Sequence, residues 1–358
     1  LSELKTNDEV MQLKPSELAP FIIYLHSSGV YGKVPYVMGG IGLGKSAIVR
    51  QVVEYMRTVG GKPNYGYVEF RTATQEPTDV TGVPMPNTEK GWTEFLKPKR
   101  LKELPEDWEG IVFLDEFTKA PLSVTNAWSQ PLLERFIDEF QLPKGLRFVI
   151  AGNRRIDKSS DTDLGMFIYN RICQVELVPD VDDTVIHFKK IGVRDDLCAF
   201  LKFGGTEHLW NYNPDKKVNA TPRTWEMVGD IVDQGERVNV PDILMQAGVI
   251  GYVGKGPGHA YLSFRKMLNT IPAVSEVITN PTGVRIFEDP STAYALAMCL
   301  ARKADATNMA AIMTYLNRGS VEMTAAFITD AAKRNPAVKE TKAYITWATD
   351  NKDLELKA

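Results

Sequence analysis

Cysteine, histidine and long apolar runs are all scarce in this chain. Its three cysteines, Cys173, Cys198 and Cys299, lie far apart with no Cys-x-x-Cys spacing. That excludes a disulfide scaffold or a thiolate zinc module and leaves reduced core thiols, the usage of a reducing cytoplasm. The four histidines, His26, His187, His208 and His259, are scattered without metal-ligand spacing, which argues against a zinc site as well. No uninterrupted apolar run approaches the length of a membrane span, and Leu1-Ser2-Glu3-Leu4-Lys5 lacks a signal-peptide core. A soluble, cytoplasmic protein is therefore expected, and an opening leucine points to residues missing before Leu1. A charge surplus is lacking too: 42 Lys and Arg against 45 Asp and Glu leave a net −3, no global attraction for nucleic acid, although local basic patches stay open. Internal repeats and low-complexity tracts are absent.

What is present suits a globular chain of two or three domains: 358 residues, 44% hydrophobic and 24% charged, enough for a sizeable core. The most informative stretch is Gly39-Gly40-Ile41-Gly42-Leu43-Gly44-Lys45-Ser46-Ala47, between the apolar run Val34 to Met38 and a helical pattern through Ile48, Val52, Val53 and Met56. Glycines let consecutive N–H groups curl toward phosphate oxygens. Lys45 then reaches the β and γ phosphates, the Ser46 hydroxyl ligates Mg²⁺, and the helix start adds its positive dipole end. A glycine turn with a chance lysine is the plain alternative; the full motif in a strand-to-helix context argues against it.

Further on, Gly110-Ile111-Val112-Phe113-Leu114-Asp115-Glu116 reads as a buried parallel strand ending in two carboxylates. Asp115 suits the Mg²⁺ shell, and Glu116 suits general-base work on a water attacking the γ-phosphate. Phe148 to Asn153 is another apolar strand, delivering an amide to the same edge. Strands are expected at Val34 to Met38, Tyr67 to Thr72, Ile111 to Asp115, Arg147 to Gly152 and Ile172 to Leu177, alternating with helices. That alternation predicts an α/β fold, a parallel five-stranded sheet with its ligand at the C-terminal strand ends. From Val181 onward the strand signal fades; helices are expected near Asp183 to Lys190, Asp196 to Phe203, Pro222 to Asp233 and Pro241 to Val253, and again at Ser291 to Lys303, Asn308 to Leu316, Val321 to Lys333 and Lys339 to Thr349, with a polar, aromatic loop at Gly204 to Thr221.

In this order the motifs resemble those of AAA+ ATPases, with Asn153 similar to their sensor 1 and Thr221-Pro222-Arg223-Thr224 to their sensor 2. Within that superfamily the chain is most similar to the MoxR-like, dynein-related branch over about residues 15 to 235. Gln75-Glu76-Pro77-Thr78-Asp79-Val80-Thr81-Gly82 resembles the segment after the branch's second strand. Trp92-Thr93-Glu94-Phe95 is similar to its inserted hairpin, and Gln130 to Phe136 to the helix leading into a second hairpin. The resemblance implies a nucleotide-binding core at residues 1–180, a helical lid at 181–270 and a helical C-terminal extension at 271–358. It implies ATP and Mg²⁺ as ligands, a ring that is commonly hexameric and a protein client such as a von Willebrand A-domain protein; from the charge balance and the short apolar runs, neither nucleic acid nor membrane is expected as partner. It also implies an arginine supplied across the subunit interface. Where the branch commonly has Asp-Arg-Phe, this chain has Asn170-Arg171-Ile172, so Arg171 is the candidate and Arg154 and Arg155 compete with it. Met85 and Trp92 fall in segments that the family turns toward its pore, while core packing of Trp92 stands as the alternative. Two other functional classes stay open: a DNA-handling motor or loader, and a nucleotide-dependent scaffold with little turnover.

Overall fold

The computed structural model describes residues 10–27, 33–154, 157, 164, 166–268, 272–287 and 289–351. The strands are β1 (Gln12–Leu13), β2 (Val34–Gly39), β3 (Gly66–Arg71), β4 (Val83–Asn87), β5 (Trp92–Leu96), β6 (Glu109–Asp115), β7 (Phe136–Ile137), β8 (Phe140–Gln141), β9 (Gly145–Gly152) and β10 (Ile172–Leu177). Six of them form one sheet in the order β1-β10-β2-β9-β6-β3, every neighbouring pair parallel. The fold is α/β of the P-loop kind, with a helical C-terminal part. The five expected strands all form. The sixth, β1, pairs Gln12 with Glu176 and Leu13 with Leu177; two residues are too few to show an alternation in sequence.

The central strands are apolar on both faces because helices cover both faces. Ile111, Val112, Phe113 and Leu114 of β6 are all fully buried. Helix Lys45–Thr58 presents Ile48, Val49, Val52 and Val53 as one buried stripe. On helix Leu122–Glu134, Val124, Trp128 and Leu132 recur at four-residue intervals and are buried. The Trp128 indole donates to Gln75 Oε1 at 3.1 Å, so its one polar atom is satisfied inside the core. Its ring meets Phe70 and Phe148 edge-on, tying the helix to β3 and β9.

Parallel pairing puts the C-terminal ends on one rim. Arg71 lies beside Asp115, Met38 beside Gly152 and Leu177 beside Gly39. Two antiparallel hairpins stand apart from the sheet, β4–β5 and β7–β8, in the two segments where hairpins are expected.

The chain divides into two compact units, one running through His187 and including Leu209–Met227, the other comprising Phe188–His208 and everything from Val228. In the second unit, helices Pro290–Lys303, Met309–Leu316 and Val321–Arg334 bury Leu296, Leu300, Ile312, Leu316, Phe327 and Ile328 in one cluster. Asp289 and Ser320 cap two of these helices by accepting from Thr292 N and Met323 N. Helix Asp195–Leu209 runs past the expected end at Phe203, because Gly205 (φ 66°, ψ −165°) kinks the chain and a further turn follows. Helix Lys255–Leu268 has no counterpart in the sequence reading. Its Lys-Gly-Pro-Gly opening has the composition of a turn, yet Pro257 falls in the first turn, where a missing N–H costs no helical bond. Cys198 is buried and Cys299 half-buried, but Cys173 is exposed, which corrects the expectation of three core thiols. Among the described residues no helix is long and apolar enough to cross a membrane.

Candidate active site

The chain leaves β2 at Gly39 and turns through Gly42 and Gly44, at φ 78° and 86°, a region that L side chains rarely adopt. Gly44 caps helix Lys45–Thr58 from that left-handed conformation. Two glycines also face close neighbours: a Cβ on Gly40 would lie 2.4 Å from the Trp210 ring, and one on Gly42 would lie 2.5 Å from Thr221 Oγ1. Leu43 is buried beneath the loop, whereas Ala47 is exposed on the first helical turn. The loop's curvature is thus set by backbone sterics, with Trp210 and Thr221 packed on its outside.

Lys45 Nζ donates to the carbonyls of Gly39 (2.7 Å) and Gly40 (3.1 Å) and to Asn153 Oδ1 (3.1 Å). Burial pulls its pKa down to about 8, while the Asp115 and Asp157 carboxylates act against that shift. Ser46 Oγ donates to Asp115 Oδ2 at 2.8 Å. Residues 45, 46, 115 and 153 come from three strand ends, and β9 lies between β2 and β6, so the sheet itself assembles them. A hydroxyl in contact with a carboxylate, beside a glycine-formed N–H cradle, is an oxygen donor set suited to hydrated Mg²⁺ on a phosphate chain. Ser46 and Asp115 could hold that ion.

Glu116 adopts φ 55°, ψ 32°, a conformation costing a non-glycine residue roughly 1 kcal/mol. Asp115 Oδ1 accepts the Glu116 N–H at 2.9 Å, and Lys119 Nζ holds Glu116 Oε1 at 3.0 Å. The turn lifts the Glu116 carboxylate off the end of β6 and leaves it part-exposed. Two buried threonines brace this corner. Thr72 Oγ1 donates to the Asp115 carbonyl at 2.8 Å, and Asn153 N–H donates to Thr118 Oγ1 at 3.3 Å. Neither threonine has a sequence signal beyond following a strand.

The remaining candidates lie apart from this cluster to different degrees. Arg223 N–H donates to the Gly42 carbonyl at 3.3 Å, so the start of helix Pro222–Arg237 touches the loop while the Arg223 side chain is exposed. Thr221 caps that helix, accepting from Thr224 N–H at 3.2 Å. Arg171 is exposed in the turn before β10. Because Ile172 pairs with Val34 and Leu177 with Gly39, Arg171 sits at the opposite end of the sheet from the loop, about 20 Å away along the strand. It cannot reach the loop of its own chain. Arg154 is committed elsewhere: it pairs with Asp157 at 2.8 Å and Glu176 at 3.2 Å, and its guanidinium lies 4.8 Å from the Trp210 ring centroid. Arg155 lies outside the described residues.

Trp210 escaped the sequence reading. It is nearly buried, covers Gly40, donates weakly to the Ile41 carbonyl at 3.4 Å and stacks on Tyr212. A lone tryptophan in a polar loop gives no periodic signal, so only the fold shows that this loop packs on the glycines.

No family model matches the chain, and no curated protein matches it. Matching solved structures include the ORC2 protein of Aeropyrum pernix in ADPNP and ADP complexes, 13% identical with a TM-score of 0.39 over 75% of this chain and 72% of that one. NtrX of Brucella abortus with ADP is 13% identical, with a TM-score of 0.38 over 96% and 68%. PCH-2 of C. elegans is 12% identical, with a TM-score of 0.32 over 70% and 68%. Likeness at this level adds nothing to what strand order and side-chain geometry already establish.

Proposed function

We propose that this protein is a cytoplasmic AAA+ ATPase of the MoxR-like branch, which hydrolyses ATP as a hexameric ring and uses the turnover to remodel a protein partner. One observation carries the reading: two side-chain hydrogen bonds, Lys45 to Asn153 and Ser46 to Asp115, lie at one sheet rim, with Glu116 next to Asp115. The N–H groups of Gly42 to Ser46 and the Lys45 ammonium bind the phosphates. Ser46 and Asp115 hold Mg²⁺, which when bound offsets phosphate charge as a Lewis acid. Glu116 takes the proton of the attacking water, and the amide of Asn153 orients that water against the γ-phosphate. Thr72 holds the Asp115 carbonyl and Thr118 the Asn153 N–H at their strand ends.

Arg171 supplies the argument for a ring. On the far end of β10 it has no route to its own loop, but a neighbouring copy can present it to the next, where it offsets transition-state charge. Arg223, at a helix start bonded to the loop, responds to the nucleotide from the same chain. The client is a protein, with a von Willebrand A-domain protein as the class that the family resemblance supplies.

Phosphate release measured with Mg²⁺ and with excess EDTA tests the core of this reading. Turnover should require Mg²⁺ and vanish in Lys45→Ala, which should also lose binding of a fluorescent ATP analogue. Undiminished binding by Lys45→Ala would remove the loop from the site.

A further inference from the structure

A second concave surface lies away from the phosphate loop, at the free edge of the sheet. β3 is the last strand in the order and pairs only with β6. Along Tyr67–Arg71 its outward N–H and C=O groups have no partner among the described residues, except that Thr74 Oγ1 donates to the Arg71 carbonyl. A cleft of about 870 Å³ runs here. It is lined by both Glu69 and Phe70, whose side chains leave opposite faces of the strand, so the cleft straddles the strand edge. An open edge of this kind is a template for another extended chain.

The walls say what kind of chain. Five cationic side chains, Arg50, Arg71, Lys97, Lys99 and Arg100, line the cleft with two carboxylates, Glu69 and Asp79; Lys97 and Lys99 pair with Asp138 and Glu103 outside it, so the open positive charge is that of Arg71 and Arg100. Glu69 is already neutralised by Arg50 at 2.7 Å, and Asp79 accepts the Glu76 N–H. The Arg100 guanidinium lies 4.5 Å from the Phe70 ring centroid and has no carboxylate partner among the described residues. Arg71 is 74% exposed and only 4.0 Å from the shared Glu69. Val83 and Leu96, at the root of the β4–β5 hairpin, add exposed apolar surface.

We infer that this cleft is a docking site for an extended, acidic segment of a partner polypeptide, which adds as a strand to β3 with its carboxylates on Arg71 and Arg100 and its apolar side chains on Val83 and Leu96. The site shares no residue with the ATP chemistry proposed above, although Arg71 is the strand neighbour of Asp115; binding is expected equally in Glu116→Gln, and failure of one reading leaves the other standing.

Fluorescence polarisation on the full chain tests it with three labelled octapeptides: alternating Glu-Val, alternating Lys-Val, and Glu-Val N-methylated at alternate residues. Only the first should bind, and its affinity should fall at least tenfold in Arg71→Gln/Arg100→Gln and decline with salt. Circular dichroism and unchanged ATP-analogue binding confirm that the variant is folded. Equal binding of the N-methylated peptide would rule out strand addition and leave a charge effect. An oligo-dT of matched charge that binds while Glu-Val does not would make the cleft a nucleic-acid site and overturn the proposal.

Discussion

The rim that carries Lys45, Asp115 and Asn153 and the β4–β5 hairpin that carries Met85 and Trp92 belong to the same compact unit and obey opposite rules. At the rim Ser46 is bonded to Asp115 and Lys45 to Asn153, residues far away in sequence, over a core in which Ile111 to Leu114 of β6 are fully buried. On the hairpin, Val83, Met85, Trp92, Phe95 and Leu96 are all exposed, and their polar contacts are local, such as Trp92 Nε1 to Glu94. The rim is over-determined by six strands, as chemistry requires of groups held within a fraction of an ångström. A two-stranded hairpin with no buried face is marginal alone and keeps its apolar side chains available for contact. One region is built to hold geometry and the other to meet something else.

Removing Arg171 is the largest expected break in that division, since it would show that the rim is incomplete in one chain. Arg171→Ala should bind nucleotide normally and hydrolyse it roughly 10³-fold or more slowly, the range for a charge-offsetting arginine. Mixing it with Lys45→Ala subunits should restore part of the activity, because some interfaces then join an intact loop to an intact arginine. Absence of rescue in mixtures shown to co-assemble would end the trans role. Arg154 would be a poor replacement, being held by Asp157 and Glu176.

Glu116→Gln comes next, with an expected loss of roughly 10² to 10⁴ in turnover and ATP-analogue binding retained. The carboxamide keeps the shape but cannot accept the proton. Since Glu116 also pairs with Lys119, a Lys119→Ala control should cost far less than the Gln variant. Equal losses would mean that the ion pair, and not the base, matters.

A third test asks whether the frame under the rim is as fixed as its burial implies. His26, on helix Pro15–Ser27, lies 3.3 Å from the Phe148 carbonyl of β9, and burial lowers its pKa to about 4, with Arg147 acting in the same direction. The folded state therefore binds fewer protons than the unfolded chain between pH of about 6.5 and 4. Stability should fall as pH drops through that window, by at most about 3 kcal/mol at 1.36 kcal/mol per unit. Urea unfolding of the protein and of His26→Gln would read this directly; the variant should lose that part of the acid sensitivity. Identical pH profiles would mean that the His26 ring stays solvated.

The same division governs what the sequence could disclose. The rim was legible because phosphate chemistry demands fixed residue types at fixed spacings, and because a parallel sheet must deliver strand-end residues such as Asp115 and Asn153 to one edge. Trp210 and Thr221 were not legible, for their role is only to cover Gly40 and Gly42, which many residues of suitable size could do. β1 was too short to show a period, and Gly256-Pro257-Gly258 masked a helix because turn composition and first-turn helix composition overlap. Exposure of Trp92 was undecidable for a related reason. An alternating apolar pattern marks a strand face but not whether anything covers it.

That exposure sets the smallest expected effect, and the one that bears most on the partner. Trp92 is 58% exposed near the tip of the hairpin, opposite Asn87, with the Lys90 ammonium 5.5 Å from its ring centroid. Trp92→Ala should therefore change stability by less than about 0.5 kcal/mol, as surface changes do, and leave basal ATP hydrolysis unaltered. Under the remodelling reading, addition of an unfolded polypeptide such as casein should change the parental ATPase rate several-fold, and Trp92→Ala should blunt that response. Single- or double-stranded DNA should change it little at moderate salt, since the chain carries a net −3. Strong stimulation by DNA that fades as salt rises, insensitive to Trp92, would move the hairpin from protein contact to a nucleic-acid motor. A Trp92 substitution that lowers basal turnover would instead couple the hairpin to the rim, and the separation between the two regions would be lost.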